Sequence, residues 1–239
     1  LELDRVLSKW GIGMRRVLFG AVASAAAFGA GTAASAAAIT TADLVACSGQ
    51  TSCVVPGAVV AGSPGKLQAK TVAGQQGLGV AGKTGGEIDF GEWLTVTFDK
   101  NVHIEAFKVS AFFNGSEFGD FNEEGIVRLT LGDGSILDYT IKVIGENMAT
   151  ISSGLGSVTN CGATTSSGSG CFLYSGRPLG DLVVASIAFS AKNLPTLAGN
   201  NSDYSLAGLD YSEVPVPGAA LLLLTGLGVA GFARKRRAA

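Results

Sequence analysis

The chain has 239 residues, 47% hydrophobic and 15% charged, with a formal net charge of −2 and a single histidine. Its basic residues are unevenly placed. Arg5, Lys9, Arg15 and Arg16 stand near the start and Arg234, Lys235, Arg236 and Arg237 near the end, so the stretch between them carries 9 basic against 17 acidic residues, a net charge of −8. That balance opposes nucleic acid and anionic membrane surfaces, which need a basic patch, and one histidine cannot supply a multi-histidine metal centre.

In chain order, residues 1–13, with Glu2, Asp4, Arg5 and Lys9, fit no export pattern and read as an over-extended start, with Met14 as the initiator. Met14-Arg15-Arg16 is a basic n-region, Val17 to Phe28 an apolar h-region, and Ala34-Ser35-Ala36 a small-residue cleavage site. Residues 14–36 therefore read as a signal peptide, handled by ordinary export machinery and cut after Ala36, with Ala38 the next candidate. An exported domain, residues 37–213, follows. Cys47 and Cys53, then Cys161 and Cys171, are near neighbours; in an oxidising compartment each pairs with the closer partner, although four cysteines allow three connectivities.

The domain reads as strand and turn. Ala58 to Ala61 and Leu78 to Ala81 are weak strands, and Trp93 to Phe98 alternates clearly, with Leu94, Val96 and Phe98 on one face. Val102 to Phe113 begins with Val102, Ile104 and Ala106 on one face. It then switches parity at Phe107, Val109 and Ala111, which predicts a bulge near Ala106. Val127 to Leu131 and Leu137 to Val143 form a hairpin around Gly132-Asp133-Gly134-Ser135, and Leu182 to Phe189 and Tyr204 to Tyr211 complete the set. Glycine-rich stretches at Gly74 to Gly86 and Gly154 to Gly176 read as long surface loops. With no sustained helical periodicity, the fold class is all-β, a β-sandwich of jelly-roll type.

Candidate chemistry is sparse. Gly77 and Gly82-Lys83-Thr84 match a phosphate-binding loop formally, but Gly85-Gly86 follows in place of a helix and the match reads as chance. His103 beside Glu105 reads as an exposed strand histidine, around which alone a Ser/His/Asp relay would have to be built. Glu87, Asp89 and Glu92, and separately Glu123 and Glu124, place carboxylates close together as a glycosidase needs, though on an acidic surface these are ordinarily just solvated. The segment Asn114 to Gly125 offers hard oxygen ligands on a glycine-containing loop, with Asp120, Asn122 and Glu124 as calcium candidates. Trp93, Phe118 and Phe121 are the candidate ligand contacts; the two phenylalanines read first as a cap on the sandwich.

The end of the chain, residues 214–239, is the most specific signal. Val214-Pro215-Val216-Pro217-Gly218 precedes the uncharged run Ala219 to Ala233, slightly short for a hydrocarbon core, and then Arg234-Lys235-Arg236-Arg237. The basic stop stays cytoplasmic by the positive-inside rule, which puts the domain across the membrane. This Pro motif, apolar helix and basic tail resemble the PEP-CTERM class of exosortase sorting signals, closest to the VPLPA variant, with Val216 where the parent motif has Glu. The resemblance implies a membrane-embedded processing enzyme that cuts near the Pro motif, after transient residence in the inner membrane. It also implies a mature protein at the cell surface or outside it. Gly85 to Leu94 and Ser202 to Leu209 loosely resemble the jelly-roll-like ectodomains that often accompany such signals. The expectation is a non-catalytic structural or binding module in an exopolysaccharide or biofilm matrix; a lectin-like glycan binder and an extracellular glycoside hydrolase are the alternatives.

Overall fold

The computed structural model describes residues 36–115, 122–162, 170–193 and 202–215. The proposed leader with Ala34, the loop residues Phe118, Asp120 and Phe121, and the tail from Val216 through Pro217, Gly218 and the basic stop lie outside the described residues. Among the described residues, no helix is long and apolar enough to cross a membrane.

The elements are β1 (Ala36–Ile39), α1 (Thr41–Val45), β2 (Ser52–Val55), β3 (Ala58–Ser63), β4 (Leu67–Val72), β5 (Gln75–Val80), β6 (Trp93–Ser110), β7 (Glu124–Leu131), β8 (Ile136–Gly145), β9 (Met148–Ile151), β10 (Ser157–Asn160), β11 (Phe172–Ser175), β12 (Val184–Ala191) and β13 (Ser205–Glu213). The fold is all-β, built on a large antiparallel sheet, and is consistent with a β-sandwich. Among the described residues the only helix is α1, of five residues. Thr40 caps it and Asp43 closes the capping box, Thr40 N–H donating to the Asp43 carboxylate at 2.8 Å.

β6 organises the sheet. Its first part, Trp93 to Phe98, pairs with β3 on one side and β12 on the other; its second, from Val102 on, lies between β13 and β11. The sequence suggested two strands here, but Asp99, Lys100 and Asn101 continue the extended backbone as one 18-residue strand. The parity switch is real. On β13 the register steps from Tyr211 opposite Ile104 to Asp210 opposite Ala106, which leaves Glu105 as the extra residue and brings both Ile104 and Phe107 into the interior.

The glycine stretches are not simply loops. Gln75–Val80 is strand β5, and short strands β10 and β11 occupy part of Gly154 to Gly176. Gly79 is there because its backbone packs on the Glu87 backbone, where an added Cβ would lie 2.4 Å from a carbonyl carbon. The predicted hairpin of β7 and β8 forms as expected, with Leu131 N–H donating to the Ser135 carbonyl and Gly134 at φ 85°.

Both disulfides join the near neighbours. Cys47–Cys53 ties the end of α1 to β2, and Cys161–Cys171 ties β10 to β11. The core gathers Leu94, Val96, Val127, Leu129, Ile187 and Phe189 beneath a ring cluster in which Phe107 stacks on Tyr174 at 4.6 Å and meets Phe189 at 5.7 Å. Because Phe107 is 1% exposed and sits at this junction, Phe107→Ala is expected to lower stability by about 3–5 kcal/mol in urea unfolding.

Candidate functional site

The connection from β5 to β6 gathers the carboxylates that the sequence placed close together. Ala81 to Gly86 turns so that Lys83 N–H donates to Glu92 Oε1 at 3.1 Å and Thr84 N–H donates to Asp89 Oδ2 at 2.6 Å. The Asp89 N–H donates to Glu92 Oε2 at 3.2 Å, and Gly82 lies so close that a Cβ there would overlap Glu92 Oε1 at 1.4 Å. The phosphate-loop resemblance thus has a physical basis: successive amides are turned toward anions, and the anions are two of the chain's own carboxylates, Glu92 and Asp89.

Two further acids complete the cluster. Glu87 forms an ion pair with Lys70 of β4 at 2.6 Å; burial raises its pKa, against the pull of the ammonium. Asp203, just before β13, is pushed up to about 7, by burial first and then by the charges of Glu87 and Asp89. Asp89 is 1%, Glu87 5% and Glu92 6% exposed, so their oxygens serve internal donors and do not stand open as a glycosidase pair. Asp203 escaped the sequence reading. It lies more than a hundred residues from its partners, and no local pattern marks it.

Phe90, at the tip of this connection, is 55% exposed and makes an isolated parallel bridge to Ala191. The connection is fastened to β13 by Ile88 N–H on the Tyr204 carbonyl at 2.6 Å and by the Ser205 hydroxyl on the Gly86 carbonyl at 2.8 Å.

The other predicted residues fall in separate places. Glu124 accepts from Lys142 at 2.6 Å and Lys192 at 2.8 Å. Burial opposes its charge, but the two ammoniums outweigh that and hold the carboxyl below its ordinary value. Each Glu124 oxygen thus faces one ammonium. Asn122 Oδ1 accepts from Gly115 N–H at 3.4 Å, and Glu123 turns to a different partner, the Phe113 amide, at 2.5 Å. Trp93 is half-buried beneath the Arg128 guanidinium, 4.7 Å from its ring centroid, and Arg128 makes two 2.8 Å hydrogen bonds to Asp138. Around it the face is short-chained: Ala61, Thr95, Ala188 and Arg128 stand in one cross-strand row, Val59, Thr97, Ser186 and Thr130 in the next.

His103 is not free on the surface. Its Nδ1 lies 2.9 Å from the Leu182 carbonyl and 3.4 Å from Asp181. Glu105, the bulged residue, accepts two bonds from Arg177 at 2.9 and 3.0 Å and one from Ser212 at 2.6 Å. Arg177 first and Ser212 second hold its carboxyl below the usual range. A groove of about 250 Å³ crosses β13 and β6 nearby, lined by Ile39, Thr41, Lys108, Leu173 and Asp210 among others; Trp93 is not part of it.

Comparison with family models, with curated proteins and with solved structures finds no match, so the functional argument rests on this chain's own residues. The stacked cation is open to a direct check. In a chain whose other tryptophan, Trp10, is replaced by Phe, Arg128→Ala should red-shift Trp93 emission and raise its quenching by acrylamide. The stability cost should be about 0.5–1 kcal/mol.

Proposed function

We propose that this chain is an exported cell-surface or extracellular-matrix protein. In this reading a leader and a PEP-CTERM-like tail deliver a non-catalytic structural or binding module of jelly-roll-like sandwich form. The observation that carries the reading is the junction at the end of the folded body. β13 stops at Glu213, Val214 N–H makes one more bond to the Asn101 carbonyl at 3.0 Å, and Pro215 is exposed. The Pro motif therefore starts where the sheet lets go of the chain, as a separable processing signal requires.

Two further features support it. The disulfides Cys47–Cys53 and Cys161–Cys171 fit an oxidising compartment outside the cytoplasm. The two ends also leave the body side by side, because Ala36 in β1 pairs with Ser212 in β13. A leader cut after Ala36 keeps Ala37 to Ile39 on the sheet and Ile39 in the core, where it is 1% exposed. The partners in this reading are the export machinery, the membrane processing enzyme and an exopolysaccharide matrix.

Glycan binding is the second reading, favoured by the aromatic, cationic and acidic side chains of Trp93, Arg128 and Asp138 brought together beside rows of Ala, Val, Ser and Thr. Mass spectrometry of the mature protein from its host tests the first. The reading expects an N-terminus at Ala37 and a C-terminus between Val214 and Gly218, and retention of Arg234 to Arg237 or of the leader contradicts it. For the second, retardation on polysaccharide columns should be present in the native chain and lost in Trp93→Ala.

A further inference from the structure

The outward face of the sheet carries more than the Trp93 corner. The row of Val59, Thr97, Ser186 and Thr130 runs on at both ends, to Val54 of β2 and Ile136 of β8. The row beside it ends in the same way, at Ser52 and Asp138. Two unbroken rows thus cross β2, β3, β6, β12, β7 and β8, a length of about 24 Å at the ordinary strand spacing.

The rows hold free hydroxyls. Those of Thr95, Thr97, Ser186 and Thr130 hydrogen-bond no other described residue, whereas the hydroxyls of Thr41, Ser153 and Ser205 are each tied to a backbone carbonyl. A free hydroxyl can donate once and accept twice, and Val59, Ala61 and Ala188 set apolar groups beside them. The rows are also neutral. Their only charged members are Arg128 and Asp138, which are bonded to each other twice at 2.8 Å. In a domain of net charge −8, these rows offer no uncompensated cation to a polyanion and no unpaired carboxylate to a polycation.

We propose that the two rows are the contact surface for a single chain of an uncharged, hydroxyl-rich polysaccharide laid across the strands, with Trp93 and its stacked Arg128 at the margin. This rests on the glycan-binding reading above and names the class of glycan. Area and shape favour that occupant over a second copy of this chain or a crystalline surface. Two rows of six side chains, about 4.8 Å apart between strands and about 6.8 Å along them, cover roughly 400 Å². A stably bound second copy needs roughly 800 Å² from each partner. Neighbouring strands also turn by roughly 20–25° relative to one another, so the rows follow a curved path. A single polysaccharide chain bends along such a path, and the flat face of a crystal does not.

Affinity electrophoresis of the full chain tests this, in native gels holding galactomannan, hydroxyethylcellulose or dextran, with alginate as the charged comparison. At least one neutral polymer should retard the chain, and alginate should not. Thr97→Val combined with Thr130→Val removes two free hydroxyls at nearly constant shape and should weaken that retardation about tenfold. Asp210→Asn, in the groove across β13 and β6, should leave it unchanged. Stronger retardation in alginate overturns the neutral class, and undiminished retardation of the double variant overturns the face; in both cases glycan binding itself stands. No retardation in any gel removes the glycan reading and this inference together. If the double variant does not fold, the amide resonances of the native chain decide, on addition of the neutral polymer that retards it. Shifts at Thr95, Thr97, Thr130 and Ser186 uphold the rows, and shifts confined elsewhere overturn them.

Discussion

The structure depends on one strand being shared. β6 gives its first part to β3 and β12 and its second to β13 and β11, so the hydrogen bonds of four neighbours are set by a single run of backbone. A strand in that position must bury both Ile104 and Phe107, whose spacing of three puts them on opposite faces of a regular ladder. The extra residue at Glu105 resolves the conflict. It also turns the Glu105 carboxylate toward Arg177 and Ser212, so the irregularity in the backbone and the polar bonds that hold it form together.

β13 is the second constraint, since it touches β1, β5 and β6 at once. Its start is where the carboxyl cluster fastens residues 81–92, and its end is where Val214 leaves the sheet. The strand that closes the body therefore links the carboxyl cluster at one end to the Pro motif at the other. Nothing couples the two chemically: the cluster acts on Ile88 and Gly86, while Val214 is held by the Asn101 carbonyl.

Much of this was legible in the sequence where the physics is local. Period-two alternation located the long strands, the Gly132 to Ser135 turn set the β7–β8 register, and the parity change at Ala106 gave away the bulge. Cysteine spacing in a chain read as exported gave both disulfides. What stayed hidden was non-local or too short to have a period. β1, β2, β9, β10 and β11 have four residues each, and β5 showed only as the weak strand from Leu78, its start masked by glycines that close backbone approach requires. Among the site residues, Glu87, Asp89 and Glu92 were visible as near neighbours, whereas the capture of Glu124 by Lys142 and Lys192, and the arrival of Asp203, depend on strand order that no local pattern states.

The Gly82-Lys83-Thr84 stretch shows where reading a motif stops being enough. Glycine beside small polar residues lets consecutive amides point inward, which is a sound inference of anion binding. The spacing does not say whose anion. A phosphate would need those amides unoccupied and a helix behind them; here Glu92 and Asp89, five to ten residues downstream, reach back and take them. Once filled, the turn no longer binds a ligand but stores negative charge next to Glu87 and Asp203. The amides of Lys83, Thr84 and Asp89 all go to Glu92 and Asp89, while Asp203, crowded by burial and by the charges of Glu87 and Asp89, has its pKa pushed up to about 7.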